Sequence, residues 1–292
     1  MPKKKTNADL IKNYLEHIIK EKKVSQGTIT TYKNIGESLP FNLLSSQTTI
    51  INKLKDLYSN PNTLQLYLNM IILVRRYNDE ETDKLIKLRN SLKDDIVKTR
   101  KEKLDKLDDE LPSYDYVMKE LDNATGSRYI LNYLILNHGL RNKDLNLKYV
   151  KSLPSENNRD ENYILIKPKD VLLNINDYKT EKSHGSKEFK IKDTKFRNEL
   201  KSLNLKNDDY LFSKRDGSKI TNISTFNDKI INHTINRLGQ NRLFKIVIKK
   251  LLNNKSFDKL DQLSKDRGTS MDVLLKSYNL DNGIDNQKEK ED

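Results

Sequence analysis

The chain of 292 residues has no cysteine. Disulfides, thiolate metal sites and cysteine nucleophiles are therefore excluded. Histidine is scarce: His17, His138, His184 and His233 are scattered, without the H-x-x-x-H spacing of a helical zinc site. No Asp/Asn-rich calcium loop is present. The run Asp108, Asp109, Glu110 reads as a solvated charge patch, because metal-binding carboxylates are normally gathered from separate elements. There is no G-x-x-x-x-G-K-[ST] phosphate loop, no G-x-G-x-x-G and no G-x-S-x-G elbow. Nucleotide-driven and nicotinamide chemistry thus have no visible support, and neither a cofactor nor a metal is expected. No stretch approaches 18 consecutive apolar residues, and the opening MPKKKTNADL has no apolar core. Neither a membrane span nor a secretory signal is expected.

What the chain has in excess is positive charge. The formal net charge is +13. The last twelve residues, DNGIDNQKEKED, hold five acids and two lysines, so the remainder carries +16. A basic surface of this size attracts polyanions, and nucleic acid is the usual partner.

Periodicity divides the chain in two. Residues 1–8 read as a basic tail. Residues 9–97 read as a bundle of four or five short helices, with Leu10, Ile11, Tyr14, Leu15, Ile18 and Ile19 at helical spacing in the first. The strongly charged stretch 98–112, ending at Pro112, reads as a helix running into a linker. Residues 113–280 form a second domain. GSRYILNYLILNHG reads as a buried helix; NYILIK, DVLLNIND and EFKIKD read as short antiparallel strands, the last two joined through a turn containing Gly185. TFNDKIINHTINRLG and the segments after it read as helices, and 281–292 as an acidic tail. The expected class is mainly α, with a small antiparallel sheet in the second domain.

Several segments resemble the tyrosine recombinase (phage-integrase) family. HGLRNKDLNL is similar to its first arginine motif, an apolar helix followed by Gly-Leu-Arg, two variable residues, an acid and Leu. Here these are Gly139, Leu140, Arg141, Asp144 and Leu145. NRLFKIVIKKLL resembles the second arginine motif through Arg242, 101 residues after Arg141 and 36 before Tyr278. Arg237 and Arg267 compete for that role. RGTSMDVLLKSY resembles the Leu-Gly-His-Ser box with its tyrosine, Thr269 standing at the His and Tyr278 nine residues later. The hairpin YKTEKSHGSKEFKI resembles the small sheet that carries a catalytic lysine. Lys179 is the first choice and Lys182 the second, with Lys187 also competing. SQGTITTYKNI and NPNTLQLYLNMI resemble the core-binding domain, a helical bundle that helps clamp DNA.

The resemblance implies cutting and rejoining of double-stranded DNA through a 3′-phosphotyrosyl intermediate on Tyr278, without metal or cofactor. It also implies assembly on DNA as a homotetramer, and an intracellular location wherever the target DNA lies. The chemistry suits the residue types. Two guanidinium groups hold the non-bridging oxygens of a phosphorane bidentately and never deprotonate. A tyrosine hydroxyl attacks, and a lysine protonates the departing 5′ oxygen. Asp144 is expected to hold the Arg141 region in register. Two positions depart from the pattern: Gly239 stands where the family has His three residues before the second arginine, and Thr269 replaces the second His. They keep open the reading of a catalytically weakened DNA-binding protein of the same fold; a type IB-like topoisomerase, which shares the chemistry but works as a monomer, is a further alternative.

Overall fold

The computed structural model describes residues 6–21, 26–153 and 160–278. Residues 1–5, most of the basic tail, and the acidic tail 281–292 lie outside the described residues. The protein is mainly α-helical, with one small open four-stranded sheet. By its contacts the chain divides into two compact units, Met1–Asp105 and Lys106–Asp292.

The first unit contains α1 (Asn7–Lys20), α2 (Gln26–Ser38), α3 (Gln47–Leu57), α4 (Pro61–Tyr77) and most of α5 (Asp83–Asp109). Local signals start these helices. Thr6 accepts from the Asp9 N–H while Asp9 accepts from the Thr6 N–H, a reciprocal capping box that satisfies two orphan donors. Ser46 caps α3, and Asn60 caps α4 just ahead of Pro61, whose missing N–H is harmless in the first turn. The apolar stripes meet in one core that includes Leu10, Leu43, Ile50, Leu54, Leu68 and Ile71. α1 and α2 approach closely at Gly36, where a Cβ would lie 1.5 Å from Ile11 Cδ1. α5 stays helical to Asp109, so most of the 98–112 stretch is helix.

The second unit contains α6 (Tyr114–Asn123), α7 (Gly126–His138), a sheet, α8 (Glu181–His184), α9 (Thr194–Ser202), α10 (Ile223–His233), α11 (Gln240–Asn253), α12 (Phe257–Arg267) and α13 (Met271–Tyr278). The strands are β1 (Lys148–Tyr149), β2 (Tyr163–Ile166), β3 (Val171–Ile175) and β4 (Lys187–Ile191), in that spatial order. β2 to β4 pair antiparallel, as expected, but β1 pairs parallel with β2, so the sheet is mixed and not purely antiparallel. Side chains alternate across it, as strand geometry requires. Ile164, Val171, Leu173, Ile175, Phe189 and Ile191 join the main core beneath α7, while Tyr163, Leu165 and Leu172 pack with Val150 on the other face.

Three local features differ from the periodicity. The β3–β4 connection contains the helical turn α8. α9 follows β4 directly, capped by Asp193, which accepts from the Phe196 N–H at 2.7 Å. The segment 225–239 is not one helix: α10 ends at His233, and Asn236 and Arg237 take positive φ. No described helix is long and apolar enough to cross a membrane.

Candidate active site

α7 buries Tyr129, Ile130, Leu131, Asn132, Leu134, Ile135 and Leu136, and it stops at Gly139. Gly139 adopts φ 61°, ψ 24°, the left-handed conformation that closes a helix. It is also crowded: a Cβ there would lie 2.5 Å from Phe244 Cε2 on α11. The chain then turns through a 3-10 segment, Asn142–Leu145, which Asp144 caps by accepting the Arg141 N–H at 2.9 Å. The Gly-Leu-Arg step thus delivers Arg141 at a fixed exit from a packed helix.

Arg141 meets the C-terminal turn of α12 there. Its Nη1 donates to the Arg267 carbonyl at 2.6 Å. Arg267 reciprocates, donating from Nη1 to the Gly139 carbonyl at 2.6 Å and from Nη2 to Asn241 Oδ1 at 2.9 Å. Its guanidinium lies over the Phe244 ring, 4.1 Å from the centroid, and the residue is buried. A cation over the face of an aromatic ring is attracted by the ring's quadrupole.

The third cation is Lys187, the first residue of β4. Its Nζ donates to the Asp266 carbonyl at 2.7 Å and sits 4.1 Å from the Tyr178 ring centroid. Gly268 makes this possible. It holds φ 65°, and a Cβ on it would come within 2.6 Å of Lys187 Nζ and 2.7 Å of Thr180 Oγ1. Thr180 also donates to the Gly268 carbonyl at 2.8 Å, fastening the β3–β4 connection to the end of α12. Asn162 holds the start of that connection. Its amide nitrogen donates to the carbonyls of Asp144 and Asp177, and its oxygen accepts from the N–H groups of Asn176 and Asp177.

Electrostatically, Arg141, Lys187 and Arg267 crowd one another. Burial depresses the Lys187 ammonium to about 8; the positive charges of Arg141 and Arg267 push the same way, and Asp144 and Asp266 oppose them. Asp144 is buried, and burial raises its carboxyl. The Arg141 N–H and the charges of Arg141, Lys187 and Arg267 only partly offset that rise. Asp144 Oδ1 is buried with no hydrogen-bond partner. The cluster is positive on balance, and a positive cluster attracts anions. Among the described residues, no group of three or more His, Asp or Glu side chains gathers that could hold a metal ion.

The expected site residues separate into those the fold gathers and those it does not. Arg141 and Asp144 stand at the centre. Thr269 follows Gly268 and is half-buried, its N–H donating to the Ser264 carbonyl at 3.0 Å. Arg242 lies in the first turn of α11 and is exposed, whereas the buried arginine at the cluster is Arg267. Arg237 is exposed and donates to Asn232 Oδ1. Gly239 is the N-cap of α11 with open space at its Cβ position. Lys179 is exposed, and Lys187 reaches the cluster. The side chains of Lys182 and Tyr278 lie outside the described residues; Tyr278 is the last residue of α13, the helix anchored in the core by Leu274. Pattern reading gave Lys187 and Arg267 only as rivals for their roles. The sign that favours Arg267 is local: it directly precedes a helix-closing glycine, so its carbonyl and guanidinium both lie at a helix end.

No family model matches the chain, and no curated protein matches it.

Proposed function

We propose that the protein cuts and rejoins DNA as a tyrosine recombinase, with the helical first unit as a core-binding domain and the second as the catalytic domain. The observation that carries this reading is the meeting of Arg141, Arg267 and Lys187 at the ends of α7 and α12, beside the buried Asp144. In this reading the two guanidinium groups take the non-bridging oxygens of the scissile phosphate. They stabilise the charge that builds in the phosphorane, a contribution of several kcal/mol when donors are preorganised in a water-poor site. Tyr278, carried on α13 directly after the Gly268–Thr269 turn, loses its phenol proton to solvent, attacks phosphorus and becomes the 3′-phosphotyrosyl group as the bond to the 5′ oxygen breaks. Lys187, held at about 8, gives its proton to the departing 5′ oxygen. An acid that titrates near neutral pH is the kind that shuttles protons well there. Rejoining runs the same steps in reverse, with the 5′ hydroxyl returning its proton to Lys187. The bond energy is conserved in the phosphotyrosine, so the cycle consumes no nucleotide.

A second reading, a DNA-binding protein of weakened activity, is favoured by a specific feature. Arg141, Lys187 and Arg267 each donate to a backbone carbonyl, and these contacts must open or be shared when a phosphate arrives. Covalent capture decides between the two. The protein is incubated with pools of nicked duplex DNA and denatured in SDS, and adducts are compared between wild type and Tyr278→Phe. An adduct that disappears in the variant supports the recombinase. Salt-sensitive DNA binding without any adduct supports the weakened protein. Absence of DNA binding at low salt overturns both. A defined crossover site distinguishes a recombinase from a type IB-like topoisomerase, which relaxes supercoiled plasmid without site preference.

A further inference from the structure

We propose that His138 and Asp266 form a positioning pair that sets the location and charge of Lys187. The inference rests on the proposed function for its chemical meaning, but not for its test. His138 is the last residue of α7, and Asp266 is the penultimate residue of α12. His138 Nδ1 lies 3.1 Å from Asp266 Oδ2, in a pair whose side chains are 20% and 13% exposed. The other carboxylate oxygen accepts from Gln262 Nε2 at 2.7 Å, so both oxygens of Asp266 are committed. The His138 ring packs at 4.9 Å from Phe189, two residues beyond Lys187 on β4, and at 6.2 Å from Tyr133. The imidazole therefore touches all three elements that meet at the cluster: its own helix, the end of α12 and β4.

The consequence lies in the carbonyls. The Asp266 carbonyl receives Lys187, the next carbonyl along, that of Arg267, receives Arg141, and the Gly139 carbonyl after His138 receives Arg267. Each of these three carbonyl anchors is thus within one residue of His138 or Asp266, while Arg267 is also held by Asn241 and Phe244. Holding the two side chains together holds the two helix ends together, and with them the spacing of the cluster. Asp266 also acts through its charge. Lys187 is faced by Arg141 and Arg267, which disfavour its ammonium form, and by Asp144 and Asp266, which favour it. Asp266 is the member of that set whose side chain is fixed by a histidine.

The two contributions are separable, because removing the charge and removing the tie move Lys187 in opposite directions. The Lys187 titration midpoint is read from pH-dependent amine modification of the full-length protein, quantified by mass spectrometry. Asp266→Asn keeps an oxygen that can accept from His138 but deletes the negative charge, so the midpoint falls by roughly one unit, the scale of a nearby charge. His138→Ala frees the Asp266 side chain and loosens the two helix ends that bury the amine, so water reaches it and the midpoint rises toward that of an ordinary lysine. His138→Gln, whose amide still donates to the carboxylate, restores the wild-type value. On nicked DNA, His138→Ala slows adduct formation at least tenfold while DNA affinity stays within twofold. Midpoints unchanged in both Asp266→Asn and His138→Ala, with cooperative melting retained, overturn the positioning pair. If one variant fails to melt cooperatively, the other decides: a midpoint shifted in its stated direction supports the pair and an unchanged one overturns it. A wild-type protein that forms no adduct overturns the recombinase reading, while the midpoints still judge the pair.

Discussion

Each unit buries an arginine, and the two are used differently. Arg75, at the end of α4 in the first unit, is 3% exposed, and each nitrogen of its guanidinium donates. Nε donates to the Glu81 carbonyl, Nη1 to the carbonyls of Leu43 and Ser45, and Nη2 to the Glu80 carboxylate at 3.1 Å. Its charge is neutralised by an acid five residues away, and its donors staple two loops to a helix end. Arg267, 5% exposed in the second unit, also binds a carbonyl, but its neighbours include two further cations, Arg141 and Lys187. Burying like charges together opposes folding, so stability alone does not account for the arrangement. A buried cation with its own acid is a fastener; under the proposed function, the cations gathered around Arg267 would wait for an anion that arrives later.

The widest way to break this comparison is Arg75→Ala. It leaves three backbone carbonyls without their donor and Glu80 without its partner. The expected cost is about 3–5 kcal/mol, the range for breaking a buried pair. Chemical denaturation followed on the first unit measures it, and a cost below 1 kcal/mol would show that Arg75 is no staple. Next comes Arg267→Ala, expected to lower the rate of adduct formation by about 10²–10³-fold, the effect of removing one preorganised donor. Arg242→Ala, altering an exposed residue, should change that rate less than threefold. Equal defects in the two variants would return Arg242 to the site.

Lys187→Ala tests the third cation. The expected defect is about 10²-fold on an ordinary phosphodiester, typical of general acid loss. It should largely vanish on DNA with sulfur at the bridging 5′ position, because a thiolate leaves without needing a proton. Lys179→Ala should show neither effect. The smallest expected change concerns a fastener in the second unit. Glu161 accepts from Tyr210 at 2.6 Å, Lys219 at 3.1 Å and Lys148 at 3.3 Å. Burial pushes its carboxyl up, but these hydrogen bonds together outweigh burial and hold it at about 2. Its stabilisation is present above the ordinary glutamate range and lost as pH falls toward 2. The site is partly solvent-exposed and screened, so Glu161→Gln should cost only about 1 kcal/mol at pH 7 and less in acid. A loss independent of pH would remove the ionic explanation.

Helices in this chain were legible because their reporters are short-range. Thr6, Ser46 and Asn60 cap the helices they precede, and buried residues of α1 recur at helical spacing. The strands β2, β3 and β4 were legible from alternating apolar runs. β1 was not: it is two residues long, and its neighbours outside the sheet, such as the Asp209 carbonyl that receives the Tyr149 N–H, are distant in sequence. α9 escaped because it is polar apart from Phe196 and Leu200.

Of the candidate site, the Arg141 box could be read directly. Gly139, Arg141 and Asp144 lie within six residues, and their relation is set by one helix end and one cap. Which second arginine and which lysine join them could not be read the same way. Spacing along the chain favoured Arg242 and Lys179, yet proximity in space depends on how α12 docks against α7 and on where β4 begins. The register Ile175↔Lys187 places Lys187 at the sheet end facing Gly268, and only the absence of a side chain at Gly268 lets the amine in. Charge, helical content and the Arg141 turn follow from residues close in sequence, whose interactions are decided within a few peptide units. The companions of Arg141 lie 46 and 126 residues away in sequence, and the packing that brings them in has no local signature.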